Sequence, residues 1–517
     1  MAGLTDYYTD VLGVDPSELK YIDDDFVGAR LHSGKTFAMA FGDPVRVLER
    51  NDDDVQIEII GGSFHGSRAR VRPSVKFRDT PLFRFSMVDV QQGDGMVVET
   101  PGGKIILIDG GDNQLFARHL AARFARTTPQ KRLHVDAMIV THGDADHFSG
   151  LTEIKASEKL ESTPEDPRRA TKRLFITVDQ VFHNGLAKRP TKLPDKTTRP
   201  VEEMFGRTAT RGTDMFCTEL VDDLDSIEAA ELNGAFRKWV AALRHWGEHG
   251  RIACSRVSQR KANGLRALFD EPGLKIDVLG PITEMIGGRE ALLFLREPRK
   301  STEMHLSDDA AVTGSLSASH TINGHSIAMR IHAGNVRFLL TGDLNQQAMA
   351  HLRAAIPSAD FECEILKAPH HGSHDFDFRM LEEARPVVSL ISSGDESTSK
   401  EYIHPRATLL SALGKVSRGP TGVVFITELA AFFSKRGPAK LLDTLGKPTA
   451  TFDPTKPFFA FERTNFGIVH IRTDGHRVLA FTHSGKEGVN EGYGFDVDAQ
   501  HRIKWHPSLR IRTAPSR

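Results

Sequence analysis

Between residues 140 and 150 the chain reads VTHGDADHFSG, which places His142, Asp144, Asp146 and His147 within six residues. An apolar run, VDAMIV, leads straight into this loop. Imidazoles and carboxylates gathered this densely are costly to bury unless cations or partners compensate them. A strand that stops in a glycine-containing loop can aim alternate side chains at one point beyond its carboxyl end, where α/β sheets commonly hold ligands. The spacing lets two of these residues reach one divalent cation and two reach a neighbouring one. The expected chemistry is hydrolysis, in which paired cations lower the pKa of a shared water and polarise a phosphoryl or carbonyl oxygen.

Other elements must hold that loop in place. FRFSMVDV and MVVETPGGKIILIDGG, from Phe83 onward, are apolar runs joined through a Pro-Gly-Gly turn and predict a β-hairpin. A helical stretch over Gln114–Thr127 follows, then the strand leading to His142; strand, helix, strand in that order predicts an α/β sandwich. The same texture resumes from His320 with HSIAMRI, NVRFLLTGD, a helix through Gln346–Ala355, CEILKAPHHGS and VVSLISSG. Residues 155–310 read as an insertion in a main domain spanning 78–430. It contains a surface loop at AKRPTKLPDKTTRP and a helical period over Ser226–His249 that puts Phe236, Val240 and Leu243 on one face. In residues 1–77, short runs at Thr36–Phe41, Val45–Glu49 and Val55–Ile60 predict a small β-barrel, and PVRVLERNDDDVQIEIIGG resembles bacterial SH3-type domains. FGIVHIRT and HRVLAFTH predict a β-rich C-terminal extension over 431–517.

At 517 residues, 39% hydrophobic and 26% charged, the chain is long enough for two or three structural units with a globular balance. A formal net charge of −1 gives no global attraction to nucleic acid or anionic membranes, so polyanion binding would rest on a local patch or a metal. Lys188, Arg189, Lys192, Lys196, Arg199, Arg207 and Arg211 form such a basic run, with few aromatics to stack on bases. Cys217, Cys254 and Cys363 match no zinc-ribbon or redox spacing and are expected as buried thiols in a reducing cytoplasm. MAGLTDYYTDVLGVDP lacks the apolar segment of a signal peptide, and no stretch approaches the ~20 apolar residues of a bilayer span. A cytoplasmic protein with no membrane partner is expected.

The loop at 142–147 resembles the H-x-H-x-D-H motif of the metallo-β-lactamase superfamily, with Asp144 at the second histidine position. This H-x-D-x-D-H variant is similar to the soluble hydrolase domain of the competence protein ComEC. The likeness runs in order through MVDVQQGDGMVVETPGGKIILIDGG, NVRFLLTGD, LKAPHHGS and the His-Pro at 404–405, covering roughly 83–155 and 315–415. It implies an αββα sandwich and a centre of two divalent ions, Zn²⁺ or Mn²⁺, Asp144 hardening the donor set toward Mn²⁺. It implies His142, Asp144, Asp146, His147, Asp343 and His371 as ligands, Asp343 bridging, with His370 nearly equal to His371. His325, or else His320, stands near the superfamily's third histidine; Asp109 would orient ligands; Asp146, His404 and His370 would act in catalysis, a histidine protonating the leaving oxygen. His183 is a further histidine that could face the site. ComEC members carry membrane spans and this chain has none, so transport is not implied.

The expected activity is a phosphodiesterase or nuclease acting on nucleic acid. Lactone, thioester or cyclic-nucleotide hydrolysis is the alternative, and a third reading makes the N-terminal module a recruiter of a partner, with hydrolysis secondary; such a module would cluster aromatics on one face, and Phe26, Phe37 and Phe41 are too few to decide it.

Overall fold

The apolar runs pair into two large sheets whose inner faces meet. The computed structural model describes residues 2–297, 314–394, 404–419, 422–428, 467–483 and 489–506. One sheet has ten strands in the order Ala253–Arg256, Ile176–His183, Leu133–Val140, Ile105–Asp109, Gly95–Glu99, Phe83–Met87, Ile468–Thr473, Arg477–His483, Val489–Val497 and Ile503–Trp505. Its first four strands run parallel and the remaining pairings are antiparallel. The facing sheet has six strands, Leu274–Val278, Met329–Ala333, Val336–Leu340, Ile365–Lys367, Val388–Ile391 and Val423–Ile426, parallel from the third onward.

Buried apolar side chains fill the space between the sheets. Phe83, Phe85, Ile106, Ile108 and Ile139 meet Ile331, Phe338, Leu340, Ile365 and Leu390 there. Strands that are buried on both faces read as continuous apolar runs, and Ile105–Asp109 and Val336–Leu340 are buried throughout. The helices Leu115–Arg123, Ala145–Ser157 and Gly234–Gly247 cover the outer face of the ten-stranded sheet, and Gln346–Ala355, Phe378–Ala384 and Ala407–Val416 cover that of the six-stranded sheet. The layers are helix, sheet, sheet, helix. Parallel strands from both sheets end at one edge, so the loops after Asp109, Val140, Leu340 and Lys367 converge there.

The stretch expected as an insertion is partly framework. Ile176–His183 and Ala253–Arg256 extend one sheet and Leu274–Val278 the other; only the four-stranded sheet of Thr208–Arg211, Asp214–Cys217, Arg289–Leu293 and Glu284–Ile286 stands apart. The expected C-terminal extension also joins the sandwich, because Ile468–Thr473 pairs with Phe83–Met87. Residues 298–310 of the stretch read as an insertion, and 431–466, 484–488 and 507–517 of the expected extension, lie outside the described residues.

The first residues belong to the sandwich rather than to the module that follows. Gly3 donates its N–H to buried Asp136 Oδ2 at 3.1 Å, and Tyr7 meets Phe124 edge-on at 5.4 Å. Residues 20–78 form a seven-stranded antiparallel sheet with its own core of Ile22, Val27, Val45, Val55, Ile57 and Val71. It docks through Phe26, edge-on to Phe481 at 5.5 Å, and through Arg472, which donates to the Phe41 carbonyl at 2.7 Å. Phe26 and Phe41 are therefore committed to the docking contact, and Phe37 stacks on Phe64 at 5.1 Å. Those three rings do not form a shared recruiting face. Among the described residues no helix is long and apolar enough to cross a membrane, and the three cysteines are unpaired thiols.

Candidate metal centre

The loop of 142–147 is shaped by a carboxylate behind it. Asp109, the last residue of its strand, is fully buried at a φ of 55°. It accepts from the Thr141 amide at 2.8 Å, the Thr141 hydroxyl at 2.6 Å and His147 Nδ1 at 2.8 Å. Gly110 donates to the His147 carbonyl at 2.7 Å, and a side chain at Gly150 would collide with the Gly110 carbonyl, so the helix Ala145–Ser157 sits tight against this turn. His147 is thereby fixed with Nε2 outward, 3.3 Å from Asp343 Oδ2.

A second carboxylate does the same for the distal histidine. Asp94 Oδ1 lies 3.3 Å from His371 Nδ1, and His371 Nε2 lies 3.0 Å from the same Asp343 Oδ2. Two carboxylate–histidine pairs, Asp109–His147 and Asp94–His371, thus converge on one oxygen. Carboxylates behind ligating imidazoles fix tautomer and direction and raise ligand basicity. Asp146, held by Gln92 at 3.1 Å, closes the group, 3.8 Å from His371 Nε2. His142 comes from the other side, its ring 3.9 Å from that of His147.

The donor atoms within each of the sets His142–His147–Asp343, Asp146–His147–His371, Asp94–Asp343–His371 and Asp94–Asp109–His147 lie within 4.8 Å of one another. His142 Nε2 is buried with no hydrogen-bond partner among the described residues, a costly state that a cation would relieve. Nitrogen and oxygen donors with no thiolate suit Zn²⁺, Mn²⁺ or a similar divalent ion. The residues fit a metal centre.

Lys367 completes the surroundings. Fully buried, it forms an ion pair with Asp94, donates to the Gly342 carbonyl at 2.8 Å and lies 3.5 Å from Asp343 Oδ1. Burial would lower its pKa, but Asp94 and Asp343 outweigh burial and raise it, so the ammonium stays charged. Neither Asp94 nor Lys367 was expected from the sequence. Asp94 lies between two glycines in QQGDG and reads as a turn, whereas Lys367 reads as the polar end of a strand.

Not every expected ligand arrives. His325 turns away: its Nε2 donates to the Leu293 carbonyl at 2.7 Å. Its neighbour Ser326 faces the centre instead, Oγ 3.2 Å from His142 Nδ1 and accepting from the Asp343 amide at 2.9 Å. His320 lies 3.8 Å from Asp375, and His183 accepts from the Gly185 amide at 3.2 Å; neither joins the cluster. Asp144 is held outside the four sets by Lys188 at 2.9 Å. His370 and His371 have φ of 47° and 52°, left-handed positions that cost side-chain-bearing residues roughly 1–2 kcal/mol each. That turn separates them: His371 enters the cluster, while His370 stands at its edge, Nε2 4.0 Å from Asp343 Oδ2. The His404 ring is 6.2 Å from that of His370. Burial, then the nearby His371 and His370, hold His404 down to about 3 in the cation-free protein, which favours the neutral imidazole there.

The basic run is largely compensated within the chain. Arg189 pairs with Glu219 and Glu231 at 2.8 and 2.9 Å, Arg207 with Glu219 at 3.3 Å, and Arg211 with Glu284.

Electrostatics at the centre favour cation exchange for protons. Burial would depress His147 and His371, but Asp343, with Asp109 or Asp94, overrides it: His147 is raised well above the ordinary imidazole value and His371 to about 10. Burial would raise Asp343, yet His371 and His147 pull it well below the ordinary range. At pH 7 the cation-free cluster therefore carries imidazolium, and ligation requires neutral imidazole. Calorimetric titration with Mn²⁺ in buffers of different ionisation enthalpy is expected to show net proton release at pH 7 and tighter binding at pH 8 than at pH 6. Equal affinity at both pH values with no proton release would contradict this.

Residues 88–211 match the family model described as the metallo-beta-lactamase superfamily. The chain carries a metallo-β-lactamase-fold, metal-dependent hydrolase domain. The match takes in Asp94, Asp109, His142, Asp144, Asp146 and His147; Asp343, His370 and His371 lie beyond it. Among solved structures, Igni18, described as a novel metallo hydrolase from the hyperthermophilic archaeon Ignicoccus hospitalis, is similar at 13% identity, covering 67% of this chain and 97% of that one with a TM-score of 0.24. No curated protein sequence matches the chain.

Proposed function

We propose that the chain is a phosphodiesterase acting on nucleic acid, with Mn²⁺ or Zn²⁺ as the cation. The observation that carries this reading is a cation at the rim of a mixed carboxylate–imidazole centre: Asp146 and Asp343 face His147 and His371, and a partly exposed ammonium, Lys188, stands beside Asp144 at the rim. Hard oxygen donors favour the ions that accompany phosphate chemistry, and a rim cation offers a counter-charge to a phosphate oxygen. The likeness of the 142–147 loop to ComEC hydrolase domains supports the same substrate class.

Asp146, His147, His371 and Asp343 would hold the cation, with His142 on the far side of Asp343. Bound there, divalent ions supply Lewis acidity toward a phosphoryl oxygen and acidify water. The protein's own contribution is placement. Asp109 and Asp94 hold two imidazoles with Nε2 directed at Asp343, and Lys367 balances the carboxylates without entering the solvent-facing side. His370 and His404, both held below the ordinary imidazole value by burial first, stay neutral beside the site and can accept a proton or hydrogen bond there.

The internal pairing of Arg189, Arg207 and Arg211 favours a second reading, a small phosphodiester or ester, because few cations remain to track a polymer backbone. A panel of single- and double-stranded DNA and RNA, a cyclic dinucleotide and bis(p-nitrophenyl) phosphate, with Mn²⁺, decides between them. Polymer cleavage lost in Asp146→Ala is expected. Cleavage of the small diesters alone would move the assignment to the second reading, and no metal-dependent cleavage of any of them would reject phosphodiesterase activity.

A further inference from the structure

Asp144 sits where the motif calls for a ligand, and three features withdraw it. Lys188 Nζ donates to its Oδ1 at 2.9 Å. The Asn323 side-chain amide, oriented to satisfy both of its ends, donates to its Oδ2 at 2.9 Å and to the Ser319 carbonyl at 3.1 Å. Asp144 is also the residue preceding the helix Ala145–Ser157, with extended backbone, yet its carboxylate makes no capping hydrogen bond to that helix. Aspartate at this position ordinarily caps. Here its oxygens are directed across to Lys188 and Asn323 instead.

The consequence falls on one side of the centre. Asp146, His147 and His371 form one set of donors, and Asp343 Oδ2 lies 3.3 Å and 3.0 Å from the two imidazoles. On the opposite side His142 has Asp343 and His147 near it, the place of a further histidine is taken by the Ser326 hydroxyl, and Asp144 is engaged elsewhere. We propose that Lys188 is an internal counter-cation that withholds Asp144, so that the protein binds one divalent ion tightly and a second, beside His142, weakly. An anionic substrate group offers Lys188 another partner, and its departure from Asp144 supplies the missing donor. The second ion is then taken up together with substrate. Lys188 is on this account a positioning residue, acting through Asp144.

This inference rests on the metal-dependent reading above, and its test separates the two. Mn²⁺ binding to the full-length protein is measured by equilibrium dialysis and by electron paramagnetic resonance, which distinguishes isolated from spin-coupled ions. The wild-type protein is expected to show one tight ion and a weak second. Lys188→Met should tighten the second ion by about 10- to 100-fold, the range for residues that set ligand availability, and bring up the spin-coupled signal; Lys188→Arg, which keeps the pairing, should behave as wild type. Inorganic phosphate, used as the anion probe, should strengthen second-ion binding in wild type and have little effect in Lys188→Met. Two ions of equal affinity in wild type, or an unchanged second ion in Lys188→Met, overturns the proposal while leaving the metal centre intact. No ion bound by either protein overturns both.

Discussion

Asp343→Asn is expected to lower hydrolysis by about three orders of magnitude or more while leaving the protein folded. One oxygen of this carboxylate faces His147 Nε2 at 3.3 Å and His371 Nε2 at 3.0 Å, and the other lies 3.5 Å from Lys367. Among the described residues, Asp343 shares one donor set with His142 and His147 and another with Asp94 and His371. The amide keeps size and shape, so packing is undisturbed, but it carries no charge and its nitrogen cannot ligate. Both imidazoles also lose the carboxylate that lifts them, and their pKa values should fall toward the ordinary range. Turnover of a phosphodiester with Mn²⁺, beside a circular dichroism spectrum, measures the effect; activity within tenfold of wild type would remove Asp343 from the centre.

Lys367→Met is expected to produce the largest loss of stability among single changes at the site, about 3–5 kcal/mol in the cation-free protein. The lysine and Asp94 are both fully buried and paired, and removing one partner leaves an uncompensated charge in the interior. Methionine matches the length of the stem, so the cost arises from charge rather than from a void. Added Mn²⁺ should recover part of the loss, since a ligand that binds only the folded state stabilises it by mass action and a cation near Asp343 restores the charge balance. Denaturant unfolding with chelator and with Mn²⁺ measures both. A variant as stable as wild type in chelator would show that Lys367 does not serve as the counter-ion of Asp94.

The fold was legible where local pattern and framework coincide. The hairpin from Phe83, the strand before His142 and the strand before Asp343 each carry apolar runs long enough to demand burial on both faces, and each stands in the sandwich. Ile176–His183 and Leu274–Val278 escaped because their role depends on pairing with strands distant in sequence, which no local signal specifies. The C-terminal runs were legible as strands, but their pairing with Phe83–Met87 was not, for the same reason.

At the centre, density was the readable signal. Four ligand-type residues in 142–147 announce themselves, but a lone Asp94 or Lys367 does not, since each acquires meaning only from what it meets across the interface between sheets. His325 illustrates the opposite failure. The resemblance made it, with His320, a candidate ligand, yet the turn after the helix Ala318–Gly324 directs Ser326 inward and His325 to a carbonyl. Asp144 was readable as a motif position and not as a ligand withheld, because Lys188 is forty-four residues away.

The most direct measurement is a crystal grown with Mn²⁺ and recorded at the manganese absorption edge. An anomalous peak within about 2.0–2.3 Å of Asp343 Oδ2, His147 Nε2, His371 Nε2 and an Asp146 oxygen is expected. A map with manganese bound elsewhere, or with none at this cluster at saturating concentration, would contradict the metal centre on which the hydrolase chemistry depends.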